Sequence, residues 1–338
     1  MKERDDVRTK TALVTGADGF IGSHLVEMLL RAGHHVKAMV WYRPDGGIGD
    51  LKFIDPTVLR DVEIFHGDVR DSDTLRRQMA GCDWVFHLAA LIGIPYSFLT
   101  PEGYVEVNIG GTLNVLSVAR DLGVSRVVHT STSEVYGSAQ KVPMDELHPL
   151  VAQSPYAATK IAADQLALSF FHAYELPVTI VRPFNTFGPR QSARAVIPQI
   201  ICQVLSGNDA VHLGALTPTR DFNYVEDTAR GLLAGATADN VAGEVINLGS
   251  GFEISIGDIA TRIMHLMNVS LPIMTESVRL RPGTSEVLRL HSDNRRARLL
   301  LGWEPQLSGA DRLDAGLERT IDWFRRYHSR AEAVKFAI

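Results

Sequence analysis

Cysteine is scarce in this sequence: only Cys82 and Cys202 occur in 338 residues, far apart along the chain. Two such cysteines exclude a disulfide framework, and neither lies in a spacing typical of metal ligands. The 12 histidines are scattered and form no H-E-x-x-H or comparable cluster. The sequence therefore predicts no metal site and favours a reducing, cytoplasmic setting.

Long apolar runs and an excess of one charge are also missing. No run reaches the roughly 20 apolar residues of a membrane-spanning helix, and the charged segment MKERDDVRTK lacks the apolar stretch of a secretion signal. The net charge is -5, without a basic stripe of the kind that binds nucleic acid. We therefore expect no membrane partner and no nucleic-acid partner.

The first half of the chain instead alternates short β-branched segments with longer helical patterns. Six segments are predicted to be strands: residues 11–15, 35–42, 62–68, 83–90, 126–132 and 177–184. Strands that alternate with helices of this length indicate right-handed crossovers and a parallel sheet with helices on both faces.

From about Asn185 the alternation loosens, although residues 244–250 return as an apolar strand and residues 308–327 form a last amphipathic helical pattern. We predict an α/β fold: a Rossmann-type doubly wound parallel sheet with a smaller C-terminal α/β substrate-binding region. The predicted division places the nucleotide-binding domain at 1–184 and the substrate region mainly at 185–338. Segments around 222–250 are expected to return to the first domain.

A glycine loop, TGADGFIG, connects the first predicted strand to the first helix. Gly16, Gly19 and Gly22 let the backbone turn tightly, and the helix N-terminus offers free N–H groups to an anion. A tight turn without a ligand is the alternative interpretation. The order of strand, loop and helix at the start of a sheet favours dinucleotide binding.

The end of the second predicted strand lacks the acid that commonly holds the adenosine ribose. No acid occurs from Val36 to Pro44, and Arg43 is present instead. Arg43 is either a ligand of a 2′-phosphate, which would indicate NADP, or a solvated loop residue. Asp68, after the third strand, is a candidate acceptor for the adenine amino group, or else a turn residue.

Tyr156 and Lys160 in YAATK lie four residues apart on a predicted helix, and therefore on one face of it. A phenol is a poor base at neutral pH, but a nearby ammonium group stabilises its phenolate. Thr132 ends the fifth strand beside this helix and is a candidate for orienting a substrate hydroxyl. The set suits removal of a proton from an alcohol while its hydride passes to nicotinamide.

Together these segments resemble the extended short-chain dehydrogenase/reductase family. The resemblance is carried by TGADGFIG, HLAA, NIGGTLNVL, YAATK, RPFNTFGPRQ and RDFNYVEDTA, and it covers nearly the whole chain. It implies that Tyr156 and Lys160 are the catalytic pair and that Thr132 is their hydroxyl partner. It also implies NAD as cofactor, with NADP as the alternative, and a homodimer formed through helices at 110–123 and 154–171.

The resemblance also implies two sets of binding residues. Those expected at the cofactor are Gly16, Gly19, Phe20, Ile21, Gly22, Arg43, Asp68, Val69, Leu88, Ala89, Ala90, Tyr156 and Lys160. Those expected at a nucleotide-sugar substrate are Asn185, Arg194, Arg220 and Arg289. For Arg220 and Arg289, expected at the nucleotide sugar and its diphosphate, a surface ion pair is the alternative.

The triplet Thr132-Ser133-Glu134 bears on the type of reaction. In a nucleotide-sugar 4,6-dehydratase a carboxylate removes the C5 proton once C4 is a ketone, and Glu134 is placed for this role. The well-known dTDP-glucose enzymes have an acid where this chain has Ser133. Ser133 must therefore relay a proton, or Glu134 must act as both base and acid.

Among the family's reactions we favour the 4,6-dehydratase. Segments such as LIGIPYS and INLGSGFEISIGDIA are similar to the N-acetylglucosamine 4,6-dehydratases of legionaminic-type pathways, which implies UDP- or GDP-N-acetylglucosamine as substrate. A UDP-glucuronate decarboxylase is the first alternative, because those enzymes also have Ser-Glu here, and a 4-epimerase is the second. A non-catalytic dinucleotide sensor is disfavoured, because such proteins usually lack the Tyr/Lys pair.

Overall fold

A computed structural model of the protein describes residues 9–279, 283–307 and 309–327. Its strands are β1 Thr11–Thr15, β2 His35–Val40, β3 Val62–His66, β4 Trp84–His87, β5 Arg126–Thr130, β6 Val178–Pro183, β7 Asn185–Phe187, β8 Val211–Leu213, β9 Thr219–Tyr224, β10 Val245–Leu248, β11 Glu253–Ser255 and β12 Ile273–Thr275.

The α-helices are α1 Phe20–Arg31, α2 Pro56–Leu59, α3 Ser72–Met79, α4 Ile94–Ser97, α5 Pro101–Tyr104, α6 Gly111–Leu122, α7 Pro155–Tyr174, α8 Val196–Leu205, α9 Val225–Thr237, α10 Ile256–Leu266, α11 Arg295–Leu301 and α12 Gly309–Tyr327. A π-helical segment, Val105–Gly110, leads into α6, and short 3-10 helices occur at Gly49–Phe53, Ser133–Tyr136, Ser277–Arg279 and Gly283–Ser285.

Seven strands form a central sheet in the order β10-β6-β5-β4-β1-β2-β3, and every neighbouring pair is parallel. All residues of β4 and of β6 are buried, as expected for parallel strands covered on both faces. The strand order reverses between β1 and β4, which opens a crevice at the carboxyl ends of the strands. This arrangement confirms the predicted doubly wound Rossmann-type fold.

The helices cover the sheet as two layers. On one face α1 and α9 pack together, with Leu25, Leu29 and Leu232 in a common apolar cluster. On the other face α3, α6 and α7 bury a second cluster that includes Leu75 and Leu116. The two layers hold the β1–α1 loop and the start of α7 at the same edge of the sheet.

The C-terminal half builds two small sheets beside this crevice. One has the strand order β11-β9-β7, and the other pairs β8 with β12. Helices α8, α10 and α12 pack around them in a separate apolar cluster that includes Ile200, Ile263 and Leu317. β10 then returns to the central sheet, where it pairs with β6.

The predicted strand at 35–42 is too long, because β2 ends at Val40. Trp41 and Tyr42 are 51% and 66% exposed, so their β-propensity misled the sequence interpretation. The last predicted helix, at 308–327, is observed as Gly309–Tyr327, and Ser308 lies outside the described residues.

Two absences concern only the part of the chain that the structure describes. Within it, no helix combines the length and the apolar character that crossing a bilayer requires. Within the same residues, no three His, Cys, Asp or Glu side chains come together in a way that would hold a metal ion.

Candidate active site

The glycine loop after β1 passes close to the end of β4. Gly16 has φ +68°, and a Cβ atom there would lie 2.8 Å from the backbone nitrogen of Ala89. A Cβ atom on Gly22 would overlap the carbonyl oxygen of Gly16. Glycine is therefore required at both positions by the backbone path itself.

The N-terminus of α1 directly follows the glycine loop. Gly19 precedes the helix, no described side chain caps it, and its first turn contains no acid. The first backbone N–H groups of a helix lack partners within the helix, and the helix dipole places positive charge there. The N–H groups of Phe20 and Ile21 are thus available to an anion, which fits a pyrophosphate.

The segment Leu88–Ala90 after β4 is fixed by a buried side chain of β1. The backbone N–H groups of Leu88 and Ala89 both donate to Thr15 Oγ1 at 3.2 Å. The Thr15 hydroxyl proton then points to His87 Nδ1, 2.9 Å away. Burial holds the pKa of His87 well below its ordinary value, so this ring is neutral and accepts at Nδ1. The cofactor side of the crevice is therefore rigid.

Two predicted cofactor contacts already have partners in the protein. Arg43 Nη2 lies 3.1 Å from Asp18 Oδ2, inside the glycine loop. Asp68 accepts from Arg70, with Oδ2 2.6 Å from Nη2. Partial burial acts to raise the pKa of Asp68, but the hydrogen bonds and charge of Arg70 outweigh it and lower the pKa.

Val69, next to Asp68, is a buried packing residue. It is 3% exposed, and it packs so closely on Gly111, at the start of α6, that a Cβ atom there would meet its side chain at 2.5 Å. The hydrophobic side chain of Val69 thus positions the backbone of this loop against the second helix layer.

The triplet that follows β5 forms one short 3-10 turn. Thr132 caps the turn, and its Oγ1 accepts from the backbone N–H of Glu134 at 3.2 Å. Ser133 is only 3% exposed, whereas Glu134 is partly exposed. The turn therefore presents Thr132 and Glu134 together at the carboxyl end of β5.

Tyr156 lies at the start of α7, directly beside this turn. The helix is capped by Ser154, whose Oγ accepts from Ala157 N at 3.1 Å. Burial strongly raises the pKa of Tyr156, a hydrogen bond with Thr132 opposes this shift, and the nearby charge of Glu134 adds to it. The structure thus brings together Tyr156, Thr132 and Glu134 at one point.

Lys160 lies one turn further along α7 and is 4% exposed. Its ammonium group donates to the carbonyl oxygen of Thr130, at the end of β5, at 2.8 Å. Burial lowers the pKa of Lys160 to about 8, and the charge of Asp164 opposes this shift. At neutral pH the side chain therefore remains mostly charged.

The sequence interpretation missed a buried polar network behind Lys160. Asp164 Oδ2 accepts from Arg182 Nη2 at 2.9 Å and from Ser131 Oγ at 2.8 Å. Arg182 Nη1 also donates to the Tyr136 hydroxyl at 2.9 Å. A sequence signal did exist, since Asp164 follows Lys160 by four residues and shares its face of α7.

A second missed residue, Tyr104, packs against Tyr156. Its ring centroid is 6.4 Å from that of Tyr156, and its hydroxyl donates to Gly93 O at 2.5 Å. Burial raises the pKa of Tyr104, and the charge of Arg194 is close enough to oppose this shift. Arg194, on the exposed loop before α8, thus lies near Tyr104.

Asn108 fixes the loop after β4 to α7. Its side chain exchanges two hydrogen bonds with the backbone of Leu91, at 2.8 and 3.0 Å. Its amide also donates to Thr159 Oγ1 at 3.0 Å. The start of β7 contributes Asn185, whose buried Oδ1 has no hydrogen-bond partner among the described residues. Such an unpaired buried acceptor at the crevice is suited to a ligand hydroxyl or amide.

Arg220 lies on β9, the middle strand of the three-stranded sheet, Arg289 forms a bridge with the neighbouring Thr219, and both arginines are ion-paired. Arg220 is 5% exposed and lies 3.2 Å from Glu286 Oε1. Arg289 is more exposed and donates to Glu253 Oε2 at 2.9 Å. Thr219 donates to the same carboxylate at 2.7 Å. Each guanidinium group therefore has a carboxylate partner of its own.

Comparison with known proteins shows similarity along nearly the whole chain. The profile of the GDP-mannose 4,6 dehydratase family matches residues 13–314. A UDP-N-acetyl-alpha-D-glucosaminuronate decarboxylase of Bacillus cytotoxicus is 33% identical over 327 residues, which cover 94% of this chain and 98% of the relative.

Two solved structures have the same architecture. DesIV of Streptomyces venezuelae, a dTDP-glucose 4,6-dehydratase solved as a double mutant with NAD, has a TM-score of 0.81 and 31% identity. The match covers 94% of this chain and 97% of DesIV. A UDP-N-acetylglucosamine 4-epimerase of Methanobrevibacter ruminantium has a TM-score of 0.83 and 29% identity, covering 94% and 99%. Overall similarity therefore does not select one reaction.

Proposed function

The chain belongs to the GDP-mannose 4,6 dehydratase family of extended short-chain dehydrogenases/reductases, and from this premise we propose that it is an NAD-dependent nucleotide-sugar 4,6-dehydratase. The proposed substrate is UDP- or GDP-N-acetylglucosamine. The observation that carries the proposal is the position of Glu134, whose charge acts on Tyr156 across the turn capped by Thr132.

The residues of the crevice fit a nicotinamide dinucleotide. The backbone of Gly16–Gly22 and the N–H groups of Phe20 and Ile21 would hold the pyrophosphate, while Leu88–Ala90 would line its path. Asp68 and Val69 would lie at the adenine, and Tyr156 and Lys160 at the nicotinamide end. When bound, the coenzyme supplies the hydride acceptor. Bound NAD in related DesIV supports this choice of cofactor.

In the first step Tyr156 removes the proton of the C4 hydroxyl. The raised pKa of Tyr156 makes the free phenolate scarce, so the phenol needs a cationic neighbour during proton transfer. Lys160 provides this charge, because a pKa of about 8 keeps it mostly protonated at neutral pH. Thr132, hydrogen-bonded to Tyr156, orients the substrate hydroxyl.

In the second step Glu134 removes the C5 proton, which the C4 ketone has made acidic. The C6 hydroxyl then leaves as water. Its proton comes from Glu134 itself or passes through Ser133, whose burial limits exchange with bulk water. Tyr156 would release the C4 hydroxyl proton to solvent, and C5 would regain one proton from solvent. The net reaction transfers hydrogen from C4 to C6 and eliminates water, with no net oxidation or reduction.

Four residues are proposed to hold the nucleotide sugar. The unpaired Oδ1 of Asn185 would accept a hydrogen bond from the substrate, and Arg194 would approach it beside Tyr104. Arg220 and Arg289 would bind the nucleotide sugar at its diphosphate end, since guanidinium groups pair well with phosphate. Their present partners Glu286 and Glu253 would yield to the phosphates.

A UDP-sugar-acid decarboxylase is the second candidate function. The observation that favours it is Ser133, because loss of CO2 from a 4-keto acid needs no carboxylic acid to protonate a leaving C6 hydroxyl. The related decarboxylase of Bacillus cytotoxicus supports this alternative. The two reactions share the first step and the roles of Tyr156 and Lys160.

The deciding experiment is product analysis in D2O with a panel of nucleotide sugars. We expect a 4-keto-6-deoxy product from UDP- or GDP-N-acetylglucosamine, with deuterium at C5 where the abstracted proton exchanges with solvent. A substrate labelled at C4 should transfer that label to C6. CO2 and a pentose from UDP-glucuronate, with hexosamines inert, would establish the decarboxylase instead. Inversion at C4 without loss of water would establish an epimerase.

A further inference from the structure

Arg43 is paired in a way that its sequence context does not suggest. It lies three residues beyond the end of β2, whereas its partner Asp18 lies between Gly16 and Gly19 in the glycine loop. The two side chains meet at 3.1 Å, and Asp18 is only 10% exposed. A carboxylate thus reaches the end of β2 from the glycine loop, although β2 is followed by no acid of its own.

The surrounding backbone is built closely around this ion pair. Gly49 has φ +58°, and a Cβ atom there would meet Asp18 and lie 2.9 Å from Arg43 Nη1. The backbone N–H of Asp50 donates to the carbonyl oxygen of Asp18 at 3.0 Å. The pair is therefore covered by a turn and differs from an isolated surface salt bridge, which would contribute little.

The location of the Asp18–Arg43 pair indicates what the pair could do. In doubly wound folds the adenosine ribose lies between the glycine loop and the end of β2, where an acid selects NAD and an arginine accommodates the 2′-phosphate of NADP. We propose that the Asp18–Arg43 ion pair makes this site selective for NAD over NADP. The inference rests on the dinucleotide binding in the proposed function.

The expected selectivity follows from the charges around the Asp18–Arg43 pair. A 2′-phosphate needs a cation, but the charge of Arg43 is already balanced, and the Asp18 carboxylate would repel the phosphate at short range. Asp50 lies close to both residues and brings a second carboxyl group, whose pKa burial raises to about 6. Two further cations act on Asp50: Arg190 is paired with Glu27 at 2.5 Å, and the Lys52 ammonium group lies 4.9 Å from the centroid of the Phe53 ring. A ribose with a free 2′-hydroxyl avoids this repulsion.

The test compares equilibrium binding of NAD and NADP by calorimetry, on protein freed of bound nucleotide. The wild type should bind NAD more tightly by about tenfold or more. Asp18→Asn keeps the shape of the side chain and releases Arg43, so NADP affinity should rise by about tenfold while NAD affinity changes little. Adding Arg43→Ala to Asp18→Asn should cancel that gain.

Two further variants keep the test interpretable. Arg43→Ala alone replaces a partly exposed side chain, leaves Asp18 unbalanced and should weaken NADP further. Asp45→Asn is the matched control, because Asp45 has the same charge in the same loop but, among the described residues, accepts a hydrogen bond only from Gly47 N, at 3.0 Å. We expect it to leave the ratio of the two affinities within about twofold.

The results separate this inference from the proposed function. A wild type that binds NAD, with an unchanged preference in Asp18→Asn, would refute only the selectivity role of the pair. A wild type that prefers NADP would refute it as well and would identify Arg43 as a phosphate ligand. A wild type that binds neither nucleotide would refute the proposed function itself.

Discussion

Lys160 and Arg289, which we propose to act in catalysis and in substrate binding, are held in opposite ways. Lys160 is buried and bonded to a main-chain carbonyl of β5, and Asp164 behind it is fixed by Arg182. Arg289 is an exposed side chain bonded to another side chain, Glu253. Lys160 is therefore positioned before any ligand arrives, whereas the proposed binding of a diphosphate by Arg289 would require this side chain to change partners.

This difference separates the expected consequences of mutation. Groups that are fixed in advance act on the reacting atoms, so their loss should reduce the turnover number. Arginines that exchange a carboxylate for a phosphate act on ground-state and transition-state binding alike, so their loss should raise KM. The predictions below test this division, beginning with the largest expected effect.

Tyr156→Phe is expected to cause the largest loss of turnover. The substitution removes the proposed base for the C4 hydroxyl and keeps the ring that packs near Tyr104. Steady-state kinetics should show turnover reduced by about 10³-fold, while calorimetry shows nucleotide-sugar binding retained. The control is Tyr174→Phe on the same helix, where the tyrosine is 53% exposed. Wild-type turnover in Tyr156→Phe would contradict the assignment.

Glu134→Gln should separate the two chemical steps. The amide keeps the size of the side chain but cannot take the C5 proton, so turnover should fall by about 10²-fold or more. Because C4 oxidation is still allowed, reduced nicotinamide should accumulate on the enzyme and be visible by its near-ultraviolet absorbance. If the coenzyme on Glu134→Gln stayed oxidised throughout the reaction, Glu134 would not be the base of the second step.

Ser133→Ala supplies the comparison for that variant. If Glu134 both removes and returns protons, Ser133→Ala should lose far less activity than Glu134→Gln. We expect this smaller loss, because a serine hydroxyl is a much weaker acid than a carboxyl group. A loss as large as that of Glu134→Gln, measured under the same conditions, would instead make Ser133 an obligatory proton relay.

Arg289→Ala tests the substrate side. Loss of a charged hydrogen-bond donor to phosphate should raise KM by roughly 10- to 100-fold, with the turnover number changed by only about twofold. Arg298→Ala is the matched control, because Arg298 is also an exposed arginine paired with a glutamate, Glu304. If Arg289→Ala lowered the turnover number without raising KM, Arg289 would belong with the catalytic groups. That result would contradict the proposed division between catalytic and binding residues.

The smallest effect is on stability, and it concerns the buried ammonium group of Lys160. Its pKa is about 8 in the folded protein, against an ordinary value of 10.5. Between these values the unfolded chain binds more protons than the folded one, so stability rises with pH. Urea unfolding should therefore show the wild type gaining stability relative to Lys160→Met from about pH 8 to pH 10.5.

The control for this measurement is Lys141→Met. Lys141 is 57% exposed in a surface ion pair with Asp145, so its replacement should not reproduce the slope. If the stability difference between wild type and Lys160→Met stayed constant across that pH range, Lys160 would titrate normally. Its proposed role as a tuned cation beside Tyr156 would then lose support.

Much of the fold was predictable because its signals are local. Strands such as β4 and β6 are buried on both faces and therefore appear as continuous apolar segments. The glycine loop and the pair Tyr156 and Lys160 depend on short spacings that a helix or turn converts directly into position. The six strands predicted for the first half all form, and the family resemblance is confirmed by the comparisons.

The partners of charged residues were not predictable in the same way. Asp18 with Arg43 and Glu253 with Arg289 meet only because separate elements fold against each other. A sequence shows that a side chain carries charge, but tertiary structure decides what balances it. The sequence accordingly allows two interpretations of Arg43 and gives no signal that Asp18 is its partner. The roles of the individual site residues stay predictions that the variants above address.

The return of β10 to the central sheet affects how this protein can be divided. A polypeptide that ended at residue 184 would lack β10, and β6 would become an open edge although all six of its residues are buried. Open apolar edges pair with other chains and promote aggregation. Recombination between relatives would therefore have to exchange the late segment together with the early one. The segments of the central sheet and of the C-terminal region alternate along the chain. The two regions are therefore expected to have diverged as a single unit.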